Sequence, residues 1–316
     1  MTVTTIDAHY FGFEGFAATY LMQEGDRAAF IETATARSVP RMLETLAAAG
    51  LQPQDVEYVI ITHVHLDHAG GAAALLQACP NATLLAHPRA ARHAIDPSKL
   101  VASAEQVYGV DKFAELYGTI DPIDAARVRT MDDEEELAFG DRTLRFLHTR
   151  GHANHHFCIW DSATRGVFTG DSFGLVYPVL QSNGLFTLPS TSPTDFDAVA
   201  AKESLHRIVR LGAERAYLTH FGEVTDLAGV ASRLEHQLDG YEAIVTEAFA
   251  GDAEDAELDR FCAERVDAIF AEALAKVGLA EDKAAAAILK TDRALNAQGV
   301  AFAVRKLRHK AKKASG

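Results

Sequence analysis

One stretch constrains this chain more than any other: Thr62-His63-Val64-His65-Leu66-Asp67-His68-Ala69-Gly70-Gly71. It follows directly on Val56-Glu57-Tyr58-Val59-Ile60-Ile61, a short β-branched run that reads as a buried strand. The small residues after Ala69 open a helix, expected from Gly70 to Ala78. Three imidazoles and a carboxylate therefore crowd a tight strand-to-helix loop. Such a loop can aim His63 and His65 to one side and Asp67 and His68 to another. Neutral imidazoles with a carboxylate suit a borderline cation, zinc first, with iron or manganese as competitors. A solvated loop that is merely rich in histidine is the plainer alternative, but His and Asp seldom crowd without a metal or catalytic reason.

Three further candidates obey the same rule. His152 follows the expected strand ending at Thr149, Asp171 follows the one ending at Thr169, and His220 follows Arg215–Thr219. A glycine stands next to each or one residue removed, allowing close approach of backbone and ion. A lone histidine at a strand end is more often a packing residue. Several strand ends all delivering His or Asp are hard to attribute to chance.

In order and spacing, His63-Val64-His65-Leu66-Asp67-His68, then Gly151-His152, Gly170-Asp171 and His220 resemble the metallo-β-lactamase superfamily over roughly Ile6 to His220. The resemblance implies an α+β fold, the αββα metallo-β-lactamase sandwich, with metals in a groove at one end of two sheets. It implies that His63, His65 and His152 hold one ion, that Asp67, His68 and His220 hold a second, and that Asp171 bridges them with a water or hydroxide. Asp67 and Asp171 are then the catalytic carboxylates. His156 aligns with the outer histidine of the family's Gly-His-Thr/Ser-x-Gly-His element, while Ala153 and His155 depart from it. His155, His156 and Tyr177 are candidates for ligand support or substrate contact, each with a plain packing role as the alternative. Cys158, on the next strand, reads as a core thiol.

The rest of the chain bounds the function. Its 316 residues are 48% hydrophobic and 23% charged, which suits a globular chain with a sizeable core. A net charge of −14 argues against nucleic acid, whose binding draws on clustered Lys and Arg. Cys79, Cys158 and Cys262 form no CxxC pair, so buried thiols in the cytoplasm are expected. Residues 1–7 show no signal-peptide pattern, and no apolar run is long enough to span a bilayer. The expected partner is a small-molecule substrate, with a homodimer open.

The pattern places a hairpin at Ala17–Met22 and Ala28–Glu32, and a helix at Val39–Ala49. Strands are expected at Ala82–Ala86, Leu137–Phe139, Thr143–Thr149, Phe157–Trp160 and Gly166–Thr169, and a helix at Asp195–Leu211. Residues 88–130 read as a helical, loop-rich insertion over the metal face or a connecting arm. From about Leu234 the pattern is helical only, ending in a basic stretch, Arg305 to Lys313, that reads as a solvated helix tail. Residues 1–232 are thus expected to form the metallo-β-lactamase-like domain and 233–316 a C-terminal helical region.

The reaction expected from the resemblance is hydrolysis of an ester, thioester or lactone carbonyl by a metal-bridging hydroxide. The motif type and helical C-terminal part suggest the glyoxalase II branch. However, Ser172-Phe173-Gly174-Leu175-Val176-Tyr177-Pro178 lacks that enzyme's Cys-Gly-Arg segment. The tyrosine expected after the bridging Asp in N-acyl-homoserine lactonases is not at that spacing either. An iron oxidoreductase, persulfide dioxygenase-like or di-iron, and a non-catalytic sensor are the alternatives. His65, where flavodiiron proteins usually carry Glu, argues against the di-iron form.

Overall fold

The computed structural model describes residues 2–251 and 254–314. They form two compact units. The first comprises the residues up to His148, His155–Gly170 and Ala213–Thr225; the second comprises Thr149–Asn154, Asp171–Gly212 and the residues from Asp226 on.

The first unit contains two six-stranded sheets. One is built in chain order from β1 (Thr2–Asp7), β2 (Ala18–Glu24), β3 (Arg27–Ile31), β4 (Val56–Ile60), β5 (Thr83–Ala86) and β6 (Val128–Thr130). The β1–β3 pairs are antiparallel, whereas β3 through β6 run parallel. The second sheet carries β7 (Glu136–Phe139), β8 (Arg142–His148), β9 (Phe157–Asp161), β10 (Gly166–Gly170), β11 (Arg215–Leu218) and β12 (Gly222–Val224). Its neighbours are antiparallel except β10 and β11.

Strand periodicity sorts the side chains. Tyr20, Met22, Ala29 and Ile31 face the second sheet's Phe139, Phe146, Ile159 and Phe168 in one core. The alternate residues Leu21, Ala28 and Phe30 face outward onto α1 (Val39–Ala48), α3 (Ala72–Ala78) and α4 (Pro88–Ile95), through Met42, Leu46, Leu75 and Ala90. Between α1 and α3, α2 (Leu66–Ala69) is a single turn; α5 (Ser98–Tyr108) and α6 (Val110–Tyr117) follow α4. Residues 88–130 are therefore not a simple insertion. The small face of α4 (Ala90, Ala91, Ala94) is part of the core, and β6 extends the sheet beside β5. Cys158 is buried, with Sγ 3.4 Å from the Thr169 carbonyl, as expected of a core thiol.

The second unit contains α7 (Ala198–Arg210), α8 (Leu227–Ala250), α9 (Asp255–Lys276), α10 (Lys283–Ile288) and α11 (Lys290–Ala314). Three of these start at aspartate caps: Asp197, Asp226 and Asp282 accept from Ala200, Gly229 and Ala284 amides. Helix α9 buries Leu258, Cys262, Val266, Phe270 and Leu274, one per turn, and packs on α8 and α11. Helix α8 runs unbroken across the expected boundary at 232/233. The basic end is not wholly solvated. Arg305 pairs with Asp255 and Asp259, and Arg308 donates to the carbonyls of Ala248, in the last turn of α8, and Gly251, just past it. Among the described residues no helix is long and apolar enough to cross a membrane.

Candidate metal centre

Parallel strands bring their C-terminal ends to one edge, and the candidate ligands of the first unit lie just beyond such ends. Strand β4 ends at Ile60; Thr62 and His63 follow, and the chain is tied to β9 where the Phe157 amide donates to the Thr62 carbonyl at 2.9 Å. The expected loop is in fact partly helical. The one-turn helix α2 carries Asp67 and His68, has His65 at its N-cap, and ends before Gly70. It aims Asp67 and His68 at the exit of β11, where His220 stands. Donor atoms of Asp67, His68 and His220 lie within 4.8 Å of one another. His63 Nε2 and His65 Nδ1 are 2.9 Å apart, and the His63 and His68 rings are 4.0 Å apart. His63 and His68 are fully buried, and His220 is nearly so.

The remaining two ligand candidates lie in the second unit. His152 Nε2 is 3.3 Å from Asp171 Oδ2, and both residues are buried. Tyr177 is buried too, its hydroxyl 3.2 Å from Asp292 Oδ1 on α11, as packing against that helix requires.

A neutral histidine offers a cation the lone pair of one ring nitrogen, and an acceptor at the other nitrogen fixes which one that is. Here the holding groups are visible. His68 Nδ1 lies 3.3 Å from Glu32, a carboxylate only 1% exposed. His220 Nδ1 is 2.7 Å from the Phe16 carbonyl, His152 Nδ1 is 3.2 Å from the Ser190 carbonyl, and His63 Nδ1 is 3.1 Å from Thr62 Oγ1. In His152 and His220, whose Nδ1 faces a carbonyl that can only accept, Nε2 is therefore left with the lone pair; the Glu32 carboxylate beside His68 Nδ1 favours the same choice there, and His63 Nε2 faces His65.

Glu32 escaped the sequence reading, although its signal was there: an acid closes the apolar strand Ala28–Ile31. Its backbone sits at φ +64°, a region that costs energy for a non-glycine residue. The carbonyl anchors of Phe16 and Ser190 had no signal, since every residue carries a carbonyl.

His156 is fully buried behind His63, ring centroids 4.9 Å apart. Gly170 makes room for it: at φ +48°, a Cβ there would meet His156 Nε2 and Thr62 Oγ1 at 2.5 Å. His155 instead stacks on His63 at 6.0 Å and meets the His65 ring edge-on at 5.5 Å. Its other neighbour is His93 of α4, at 6.5 Å, whose pKa is lowered by burial and then by Arg92 and Lys99. Nearby, the His87 and His148 rings lie 4.1 Å apart, tilted by 38°. Burial pushes His87 down to about 3, with His148, His155 and Arg89 adding to the effect.

The family model described as "Metallo-beta-lactamase superfamily" matches residues 12–220. A curated relative, the metallo-beta-lactamase fold-containing protein ST1585 of Sulfurisphaera tokodaii, is 31% identical over 54% of this chain and 62% of its own length. The N-acyl homoserine lactonase AttM of Rhizobium radiobacter is 29% identical over 36% of this chain and 39% of its own length. This chain thus matches less than two thirds of either relative. The solved structure of ST1585 aligns with a TM-score of 0.66 at 23% identity, covering 94% of this chain and 97% of that one. A metallo-beta-lactamase family protein from Thermus thermophilus aligns at 0.62 and 20% identity, covering 93% and 89%. These likenesses establish the fold as the metallo-β-lactamase sandwich carrying C-terminal helices. With its ligand motif, its two sheets and two thirds of its length matched by the family model, the chain belongs to the metallo-β-lactamase superfamily.

Proposed function

We propose that this protein is a dinuclear metal-dependent hydrolase acting on an ester, thioester or lactone. His63, His65 and His152 would hold one divalent cation, Asp67, His68 and His220 the second, and Asp171 would be shared. The observation that carries this reading is the convergence of the donor atoms of Asp67, His68 and His220 within 4.8 Å, with the outer nitrogens of His152 and His220 committed to the Ser190 and Phe16 carbonyls and that of His68 set against Glu32. That arrangement presents imidazole lone pairs with carboxylates among them, a donor set suited to zinc, with iron or manganese as competitors.

Bound there, two cations supply Lewis acidity and lower the pKa of a water from about 15.7 toward about 7. The chain's own residues do the rest. Asp67, whose side chain is 28% exposed, can accept a hydrogen bond from the attacking water and orient it. His156 backs His63, and His155 stands over His63 and His65 where it can meet substrate. A relative named as a lactonase supports an ester-type bond, and three buried thiols suit a reducing cytoplasm.

Metal quantification on purified protein, coupled to a panel of esters, thioesters and lactones, tests the reading. Two zinc ions per chain with turnover of one class is the expected result. One iron per chain without hydrolysis would move the protein to the oxidoreductases of this fold. Absence of both metal and turnover would leave a non-catalytic binding protein.

A further inference from the structure

We propose that Ser190 is a positioning residue for the metal centre, and that helix α11 fixes its place. The inference rests on the metal-binding reading above. Ser190 touches both ligand candidates of the second unit. Its hydroxyl donates to Asp171 Oδ2 at 2.9 Å, and its carbonyl is 3.2 Å from His152 Nδ1. With Asp171 Oδ2 3.3 Å from His152 Nε2, the three residues close a ring. The carbonyl selects the His152 tautomer with its proton on Nδ1. The hydroxyl ties down one carboxylate oxygen of Asp171, so that the carboxylate cannot turn away from its ligand position. The cavity beside them, lined also by Leu234 and Leu238, offers about 20 Å³, room for about one water. Ser190 therefore acts through the ligands.

The placement of Ser190 is itself dictated from α11. Two residues earlier, Leu188 pairs with Leu175 through both backbone bonds. One residue later, Thr191 Oγ1 donates to the Leu295 carbonyl of α11 at 3.1 Å. Gly299 lets the two segments approach: a Cβ at that position would overlap the Thr191 side chain and lie 3.1 Å from the Ser192 carbonyl. The chain 188–192 is thus pinned on both sides of Ser190, and the C-terminal helix acquires a role in metal affinity.

The test is zinc affinity of metal-stripped protein, measured by competition with a chromophoric chelator, alongside melting of the metal-free form. S190A keeps the carbonyl and loses only the hydroxyl. It is expected to bind zinc about 10–100-fold more weakly while its metal-free melting stays at the wild-type value, and S190T, which keeps a hydroxyl, should restore affinity. G299A should weaken zinc in the same direction, and T191A in the same chain should relieve it. Wild-type affinity in S190A would overturn the role of Ser190 and leave the metal-binding reading standing. A wild-type protein that binds no zinc would overturn both. Weaker binding by S190A with equally lowered metal-free melting would make Ser190 a fold residue and overturn positioning.

Discussion

A buried carboxylate behind a histidine does two jobs: it holds the ring and it raises the basicity of the nitrogen facing the cation. Glu32 is built for this, since it is buried, 3.3 Å from His68 Nδ1, and also accepts from the Thr62 amide at 3.3 Å. E32Q keeps the shape and removes the charge. Zinc affinity, read by chelator competition, should fall about tenfold or more, with metal-free stability changed less than the affinity. His87 makes a second residue-scale prediction, on metal-free protein. Its folded pKa, about 3, lies below the unfolded value of about 6.5, so between these pH values the unfolded chain binds the extra proton. Stability contributed by neutral His87 is therefore full above about pH 6.5 and is lost as pH falls toward 3. The groups facing it are His148, His155, Arg89 and Asp133. H87N removes the titration but keeps an acceptor for the Arg89 amide, which His87 Nδ1 now receives at 3.0 Å. Urea midpoints measured from pH 7 to 4.5 should fall less steeply in H87N than in the wild type.

Between the two sheets, one buried cation holds three strands. Arg142 at the start of β8 is 1% exposed; it bonds Glu24 at the end of β2 at 2.9 Å, Asp161 at the end of β9 at 3.1 Å, and the Gln23 carbonyl at 3.2 Å. Removing one partner from a buried pair leaves uncompensated charge, costing about 3–5 kcal/mol. R142L should lose about that much in urea unfolding at neutral pH, and E24Q in the same chain should recover part of it. Asp161, just past the expected strand Phe157–Trp160, carries no sign of this pairing in the sequence, because partners far apart in the chain leave no local pattern. The strands that were legible, such as β4, β8 and β10, bury apolar residues against neighbours on both sides. The three that were missed, β1, β6 and β12, are all sheet edges, where half the backbone bonds are absent and polar residues are tolerated: Thr2, Thr4 and Thr5 in β1 show this. The candidate metal centre divides the same way. Its proposed ligands announce themselves as rare side chains at strand exits, as His63, Asp171 and His220 do. The groups set against them are backbone carbonyls (Phe16, Ser190) or single side chains such as Glu32 and Thr62, which carry no spacing signal.

At the scale of the molecule, the proposed ligands come from such distant parts of the chain that metal binding would be coupled to folding, because no unfolded chain can hold them all together. A cation that binds only the native state stabilises it by RT ln(1 + [M]/Kd), about 2.7 kcal/mol per site at a hundredfold excess over Kd. Each kcal/mol raises the melting temperature by about 2–4 °C in chains of 150–250 residues, so a single occupied site should raise it by at least several degrees, and two by more. Zinc added to metal-stripped protein should produce that rise in scanning calorimetry, and chelator should reverse it. H63A and D171A separate the contributions. His63 stands in the first unit and Asp171 in the second, so if one dinuclear centre draws on both, either substitution should blunt the same zinc-dependent rise. Two independent sites would behave otherwise: each variant would forfeit only its own share, and the double variant would lose the sum.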